Sequence, residues 1–211
     1  MASLAGYNTV VKKSGSSTAM TDEAMSGSGA GPYTIDAAAK KIWDRDTLAT
    51  FEDNSVAIDA GDILTVDYLT GKVTFTGSKT GPITVSGKYM PMAVVAQAHA
   101  AAISLGGDLL NDTDFASAQT APYVNRAAGL RDASVSLTRW EDVAGTFGAI
   151  LAAGVAIVLE IQPGGSGKYL RGWFLLESEN QSGDVSALEQ EELTFQLDAD
   201  DDALKSVSFA T

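Results

Sequence analysis

The sequence has no cysteine and a single histidine, His99. Without thiols there is no disulfide, no thiolate nucleophile and no Cys-ligated zinc, and cysteine usage leaves the redox compartment open. One imidazole excludes a multi-histidine metal centre. Basic residues are also scarce: 14 Lys and Arg stand against 27 Asp and Glu, a formal net charge of −13 over 211 residues. Such a surface repels phosphate backbones and argues against specific nucleic-acid binding. Long apolar runs are missing too. The longest, Ala149 to Leu159, is interrupted by Gly154 and is too short to cross a bilayer, so no membrane insertion is expected. Met1-Ala2-Ser3-Leu4 does not begin a basic region followed by an apolar segment. The expectation is therefore a chain without a secretory signal, made in a cytoplasm and kept there unless a particle carries it out. Proline is rare, at 5 residues, beside 21 glycines, a balance that suits a turn-rich β protein better than a disordered one. The length predicts one domain, with or without extended arms, able to bury roughly 70% of its unfolded surface.

What is present reads mainly as strands. Val155, Ile157, Val158, Leu159 and Ile161 form an apolar β-branched run, the pattern of a strand buried on both faces. Pro163 to Gly167 breaks it, Tyr169 to Glu177 resumes with bulky residues, and Asn180 to Asp184 reads as a second turn. Leu193, Phe195 and Leu197 then alternate with Thr194, Gln196 and Asp198, giving one buried and one wet face. Short turns between adjacent strands predict an antiparallel meander with acidic wet faces.

Earlier in the chain, Tyr7 to Lys13, Pro32 to Ile35 and Lys40 to Trp43 are strand candidates. Ser14 to Gly31, rich in Ser, Gly, Thr and Ala, reads as a flexible arm carrying Met20 and Met25. Asp44 to Asp62 reads as a long polar loop holding Phe51, Val56 and Ile58. Ile63 to Leu69 and Val73 to Thr76 flank Thr70-Gly71-Lys72, the clearest hairpin signal in the chain, and Gly81-Pro82 introduces Ile83 to Ser86. Met92 to Ala102 has helical propensity in its alanines, but the glycine and proline around it punctuate like a sheet and favour a strand. Asp114 to Tyr123 reads as a short capped helix and Ala133 to Trp140 as a half-exposed strand. Glu141 to Ala153, with Val143, Phe147, Ile150 and Leu151, is the main helix. Leu204, Val207 and Phe209, after the acidic run Asp198 to Asp202, read as a terminal arm or edge strand.

No motif carries chemistry. Gly164-Gly165-Ser166-Gly167-Lys168 is like a phosphate-binding loop, but Gln162 replaces the first glycine, Tyr169 replaces the metal-binding hydroxyl, and no helix follows. Asp108, Asn111, Asp112 and Asp114 lack the spacing of a calcium loop. A hydrolytic triad would have to use His99, and no nucleophile elbow is present. Nothing selects a carboxylate pair for glycoside hydrolysis. Trp43, Trp140 and Trp173 read as core or interface anchors. The reading is a non-enzyme without cofactor or metal.

Taken in order, several segments together resemble the major tail tube protein of long flexible-tailed (siphovirus-like) bacteriophages. They are Ala19 to Met25, Tyr33-Thr34-Ile35-Asp36 with Lys41-Ile42-Trp43-Asp44, Asp67 to Phe75, Asp112-Thr113-Asp114-Phe115, Gly129 to Ser136 and Ser182-Gly183-Asp184-Val185. The resemblance spans essentially the whole chain. It implies a mainly β subunit, a β-sandwich or barrel with one packed α-helix and extended arms and loops. Its inner sheet would join its neighbours into a ring-shaped barrel. The implied partners are further copies of the chain (hexameric rings stacked into a tube), a tape-measure protein in the bore, tail terminator and tail-tip proteins, and DNA that passes without specific binding. The implied location is the virion tail, after synthesis in the host cytoplasm.

On that resemblance residues 1–211 form one tail-tube domain, with 1–31 as N-terminal strand and arm, 44–62 as an inter-subunit loop and 198–211 as a C-terminal arm. Phe51, Glu52, Asp53, Val56 and Ile58 are the inter-ring contact candidates. Met20, Met25, Val207 and Phe209 are the arm contacts, because nothing in the sequence buries them within the subunit. Glu189, Glu191 and Glu192 are the candidate bore-facing acids. Closing a sheet into a ring would remove exposed edges, and head-to-tail contacts would extend rings along an axis. The rival readings are an acidic β-sandwich binding module, carbohydrate-binding or adhesin-like, and a hydrolase using carboxylates.

Overall fold

A computed structural model describes residues 10–95, 98–111, 126–140, 146–162, 169–182, 189–198 and 207–210. Within them the protein is mainly β, with one α-helix and two antiparallel sheets, one of them strongly curled, as the β-sandwich/barrel expectation requires. The first strands are β1 (Val10–Ser14), β2 (Thr18–Ser26), β3 (Tyr33–Ile35), β4 (Thr50–Asp53) and β5 (Val56–Ala57). Then come β6 (Ile63–Asp67), β7 (Lys72–Phe75), β8 (Ile83–Tyr89) and β9 (Met92–Val94). The long strands β10 (Ala98–Asn111) and β11 (Arg126–Trp140) precede helix α1 (Thr146–Ala153). The chain closes with β12 (Ile157–Gln162), β13 (Tyr169–Ser182), β14 (Gln190–Leu197) and β15 (Val207–Ala210).

Two compact units divide these elements, one drawn from Met1–Ala96, Ile157–Trp173 and Ala199–Thr211, the other from Gln97–Ala156 and Phe174–Asp198. The first unit holds a seven-stranded sheet ordered β5-β4-β8-β2-β3-β7-β6. It also holds the run β13-β12-β1-β9, with β15 paired to the first residues of β13. The second unit holds the run β10-β11-β14 and the remainder of β13, together with α1.

The seven-stranded sheet is organised by aromatic packing. Tyr33 and Phe75 lie 5.6 Å apart between centroids, Phe75 and Phe51 5.9 Å, Phe51 and Trp43 5.9 Å, and Trp43 meets Tyr68 edge-on at 6.4 Å. Tilted and edge-to-face pairs of this kind add to the burial of each ring. Trp43 is reached from a 3-10 turn at Ala38–Lys40, so Lys40 to Trp43 is not the strand that its composition predicts; a single bridge joins Trp43 to Tyr89.

The segment expected to be a flexible arm is instead an interior strand. β2 pairs with β8 on one side and β3 on the other, and both Met20 and Met25 are buried in the core. Their odd spacing would put them on opposite faces of a regular strand. A register shift between Met20 and Glu23, with Asp22 at φ 50°, resets the alternation and turns both methionines inward. The same device acts in the β6–β7 hairpin. A shift between Ile63 and Thr65 leaves Leu64 exposed while Ile63 and Val66 pack on the core. The hairpin turn is held by Asp67, whose Oδ1 accepts the backbone N–H groups of Leu69 and Thr70 at 3.0 and 3.1 Å. Gly71 closes it at φ 66°, where a Cβ would stand 2.8 Å from Ile35 Cγ2 and from the Lys41 carbonyl.

The expected loop Asp44 to Asp62 is largely structured. Asp44 accepts the N–H of Asp46 at 3.0 Å, β4 and β5 form a two-residue hairpin through Asn54 and Ser55 at φ 52° and 64°, and a 3-10 turn follows at Ala60–Asp62. Positive φ at both central residues is the turn that matches strand twist, and Asn favours it. Phe51 faces Val85 across the β4–β8 ladder and is buried.

Within Met92 to Ala102, Met92–Val94 is strand β9 and Ala98 opens strand β10, the strand alternative that the punctuation favours. β12 is buried from Ile157 to Ile161, as its apolar run predicts, with Glu160 buried inside it; Val155 lies outside it and is exposed. β12, β13 and β14 are neighbours in the order a meander requires. Asn180 to Ser182 continue β13 rather than turning. Helix α1 buries Phe147, leaves Leu151 exposed, and ends at Gly154 (φ 60°), whose N–H reaches the Ile150 carbonyl at 3.1 Å. The expected helix Asp114 to Tyr123, the first residues of the helix read from Glu141, the Gly164 to Lys168 turn and the acidic residues 199–202 lie outside the described residues.

Candidate assembly surfaces

β10 is the terminal strand of its sheet run and pairs only with β11 among the described residues. It is 14 residues long, and its sequence, AHAAAISLGGDLLN, has no lysine, arginine or proline and one acid. Ala100, Ala101, Ala102, Ser104 and Gly106 are all exposed. Adjacent residues in a strand point to opposite faces, so both faces of β10 are open here as well as its outer edge. β11 differs: Ala133, Val135, Leu137 and Arg139 are buried on one face. Long edges poor in charge are templates for pairing with another chain, and proteins that stay monomeric blunt them with charge, proline, bulges or short length. β10 shifts register between Ala98 and Ala100 and between Gly107 and Leu109, and runs in unbroken register with β11 from Ala100 to Gly107.

The tip of the β4–β5 hairpin is a second open feature. Val56 is 67% exposed and Ala57 is exposed, while Glu52 and Asp53 are half-buried. Asp53 is partly committed within the subunit, since its Oδ1 accepts the Gly81 N–H at 2.9 Å. Of the expected inter-ring residues, Val56 therefore projects, whereas Phe51 is core and Ile58 packs against that core. Met20 and Met25 are likewise core, which removes them as free arm contacts. Val207 and Phe209 lie in β15, opposite Gly172 and Leu170 of β13.

Two buried ion clusters were not read from the sequence. In the first unit Glu160, in the middle of the apolar strand β12, accepts Lys12 Nζ at 2.8 Å and Arg171 Nε at 2.9 Å; Arg171 also donates to the Leu69 carbonyl. Burial pushes the Glu160 carboxyl up, but hydrogen bonds and charge from Lys12 and Arg171 together outweigh it and hold the pKa below the usual range. In the second unit Glu191 faces Arg139 directly across the β11–β14 ladder, and both are buried as an ion pair. Arg139 also lies 4.6 Å from the Phe147 ring, which itself packs on Phe195 at 5.9 Å. Burial, then the charge and hydrogen bond of Glu191, raise the pKa of neighbouring Glu179. Glu191 is thus not a bore-facing acid: it has the same strand parity as Leu193 and Phe195 and so points into the core. Glu189 and Glu192 are exposed. Among the described residues no three His, Asp or Glu side chains gather as metal ligands would.

No protein-family model and no curated protein sequence matches the chain. The fold is similar, at 19% identity and a TM-score of 0.48, to a chain in the tail of an empty gene transfer agent particle refined with C6 helical symmetry; the overlap covers 57% of this chain and 87% of that one. It is similar at 20% identity and a TM-score of 0.45 to a chain in the virion of a native gene transfer agent particle, over 57% of this chain and 89% of that one. Both scores lie below one half and describe a partial likeness of architecture.

The signals that would have found the ion clusters are simple. An acid inside a run otherwise buried on both faces requires a partner, and Arg171 is a cation in the neighbouring apolar strand. Extending the parity of Leu193 and Phe195 backward lands on Glu191, and that of Val135 and Leu137 forward on Arg139.

Proposed function

We propose that the chain is a structural subunit of a phage-like virion tail that self-assembles through its sheet edges into six-membered rings stacked as a hollow tube, the conduit for DNA. The observation that carries this reading is β10: a 14-residue edge strand without lysine, arginine or proline, in unbroken register with β11 from Ala100 to Gly107 and open on both faces at Ala100 to Ala102. Closure with further copies satisfies that edge, and a ring is the closed solution for a head-to-tail contact. The resemblance of the ordered segments from Ala19 to Val185 supports the same role, and brings with it the tape-measure, terminator and tail-tip partners. The net charge of −13 suits a conduit, since a basic wall would hold DNA through many phosphate contacts. Val56 at the β4–β5 tip is the contact we assign to stacking, and exposed Glu189 and Glu192 are the acids we assign to the bore.

Electron microscopy and sedimentation of concentrated protein, with and without tail-tip seeds, test the proposal. The wild-type chain is expected to form rings or hollow filaments. The double variant Ala100→Lys/Ala102→Lys, which places charge on the open strand, is expected to melt like the wild type and remain monomeric. Wild-type protein that stays monomeric under every condition overturns the reading.

A further inference from the structure

A cavity of about 400 Å³ in the first unit carries positive charge in a strongly acidic chain. Lys12, Lys41 and Arg171 line it against a single acid, Glu160. The Glu160 carboxylate is already shared between Lys12 and Arg171, at side-chain exposures of 31% and 10%. One negative group therefore answers two sheltered cations. Lys41 is half-buried and forms no ion pair among the described residues. Sheltered charge without compensation is costly, and a carboxylate delivered to the cavity would relieve it. The remaining wall is apolar, including Ile42, Met92 and Val94. Met92 and Val94 belong to β9, which ends its sheet run, and Val94 is 63% exposed.

We propose that this cavity receives an Asp or Glu side chain from a second copy of the chain that adds along the β9 edge. Charge selects this occupant: each copy offers 27 acids against 14 bases, about two carboxylates for every cation, and the cavity's surplus of positive charge favours the carboxylate. Position selects it too, because a chain laid along β9 covers Val94 and Met92, which form part of the same wall. The cavity is also the size that holds a few side-chain groups. The contact offsets the repulsion between highly negative subunits at one defined point and fixes their register. This inference rests on the self-assembly reading and supplies its receptor.

The test mixes unlabelled and nitrogen-15-labelled chains, allows assembly, and applies a zero-length carbodiimide that joins an amine to a carboxylate in contact with it. Mass spectrometry is expected to find Lys41 joined to an Asp or Glu of the other isotope. In parallel, Lys41→Glu is expected to raise the concentration needed for assembly about tenfold or more, the effect of reversing one close charge across an interface, with circular dichroism and melting unchanged. Lys41→Arg is expected to assemble as the wild type does. Wild-type assemblies with no mixed-isotope link at Lys41, or a Lys41→Glu chain that assembles at the wild-type concentration, overturn the cavity proposal and leave the tube reading standing. A wild-type chain that never assembles overturns both.

Discussion

The seven-stranded sheet and the β10–β11 pair are built from opposite materials. The former uses short strands, register shifts and a chain of rings from Tyr33 through Phe75, Phe51 and Trp43 to Tyr68, so that its core is closed within the subunit. The latter runs 14 residues beside 15, and its outer member presents Ala100, Ala102, Ser104 and Gly106 to solvent on one face and Ala101 on the other. A ring buries 150–250 Å² at about 25 cal/mol per Å², whereas an alanine methyl contributes a small fraction of that. The difference teaches that at its exposed alanines β10 is held by backbone pairing with β11 more than by side-chain burial, and its outer edge is the one the proposed assembly assigns to another copy.

The largest effect expected is at the aromatic core. Phe51→Ala should cost about 4 kcal/mol, read as a shift of the denaturant midpoint, because it opens a cavity between Trp43, Phe75 and Val85. Ala100→Ser in β10 should stay within about 0.5 kcal/mol of wild type in the monomer. A β10 substitution as costly as the core one would break the contrast.

Next come the buried ion clusters, which sharpen it. Glu160→Gln strands both Lys12 and Arg171 and should cost about 3 kcal/mol. Glu191→Gln should cost roughly half as much, because Glu179 is near enough to feel Arg139 and still offers it a compensating carboxyl. Equal losses in denaturant melts of the two variants would show that Glu179 gives no such relief.

The smallest expected effect is in pH dependence, and the two clusters should differ in sign. The folded pKa of Glu160 is lowered, so its contribution is present above the ordinary carboxylate range and is lost as pH falls through the folded value. The folded pKa of Glu179 is raised, so the folded state holds its proton more tightly and stability rises as pH falls from above that value toward the ordinary range. Melting curves across mildly acidic pH should lose the second dependence in Glu179→Gln and the first in Glu160→Gln. A Glu179→Gln curve parallel to wild type would contradict the upward shift that burial and Glu191 impose on Glu179.

Much of the strand content was legible, because period-two alternation and turn chemistry are local. The hairpin around Gly71, the buried β12, the half-buried β14 and the strand alternative for Met92 to Ala102 are all legible there. The interior position of β2 was not legible. Its methionines share a face only through a bulge, and a bulge is set by which strands lie alongside. Local pattern alone therefore puts Phe51, Ile58, Met20 and Met25 on surfaces, whereas Phe51 and both methionines are core and Ile58 packs against it. Of the three candidate acids, Glu191 departs from expectation for a related reason: composition marks it as polar, while its parity and the Arg139 opposite it mark it as buried.

By itself the sequence determined that this is an acidic, turn-rich β chain without thiol chemistry or a multi-histidine centre, since those properties depend only on which residues are present and how they alternate. Tertiary structure alone decided which polar residues are interior, which edges are left open, and that Lys12, Lys41 and Arg171 gather around one carboxylate from segments far apart in the chain. Pairing between distant strands sets these features: each ladder fixes a register, and a shift of one residue exchanges the buried face for the exposed one.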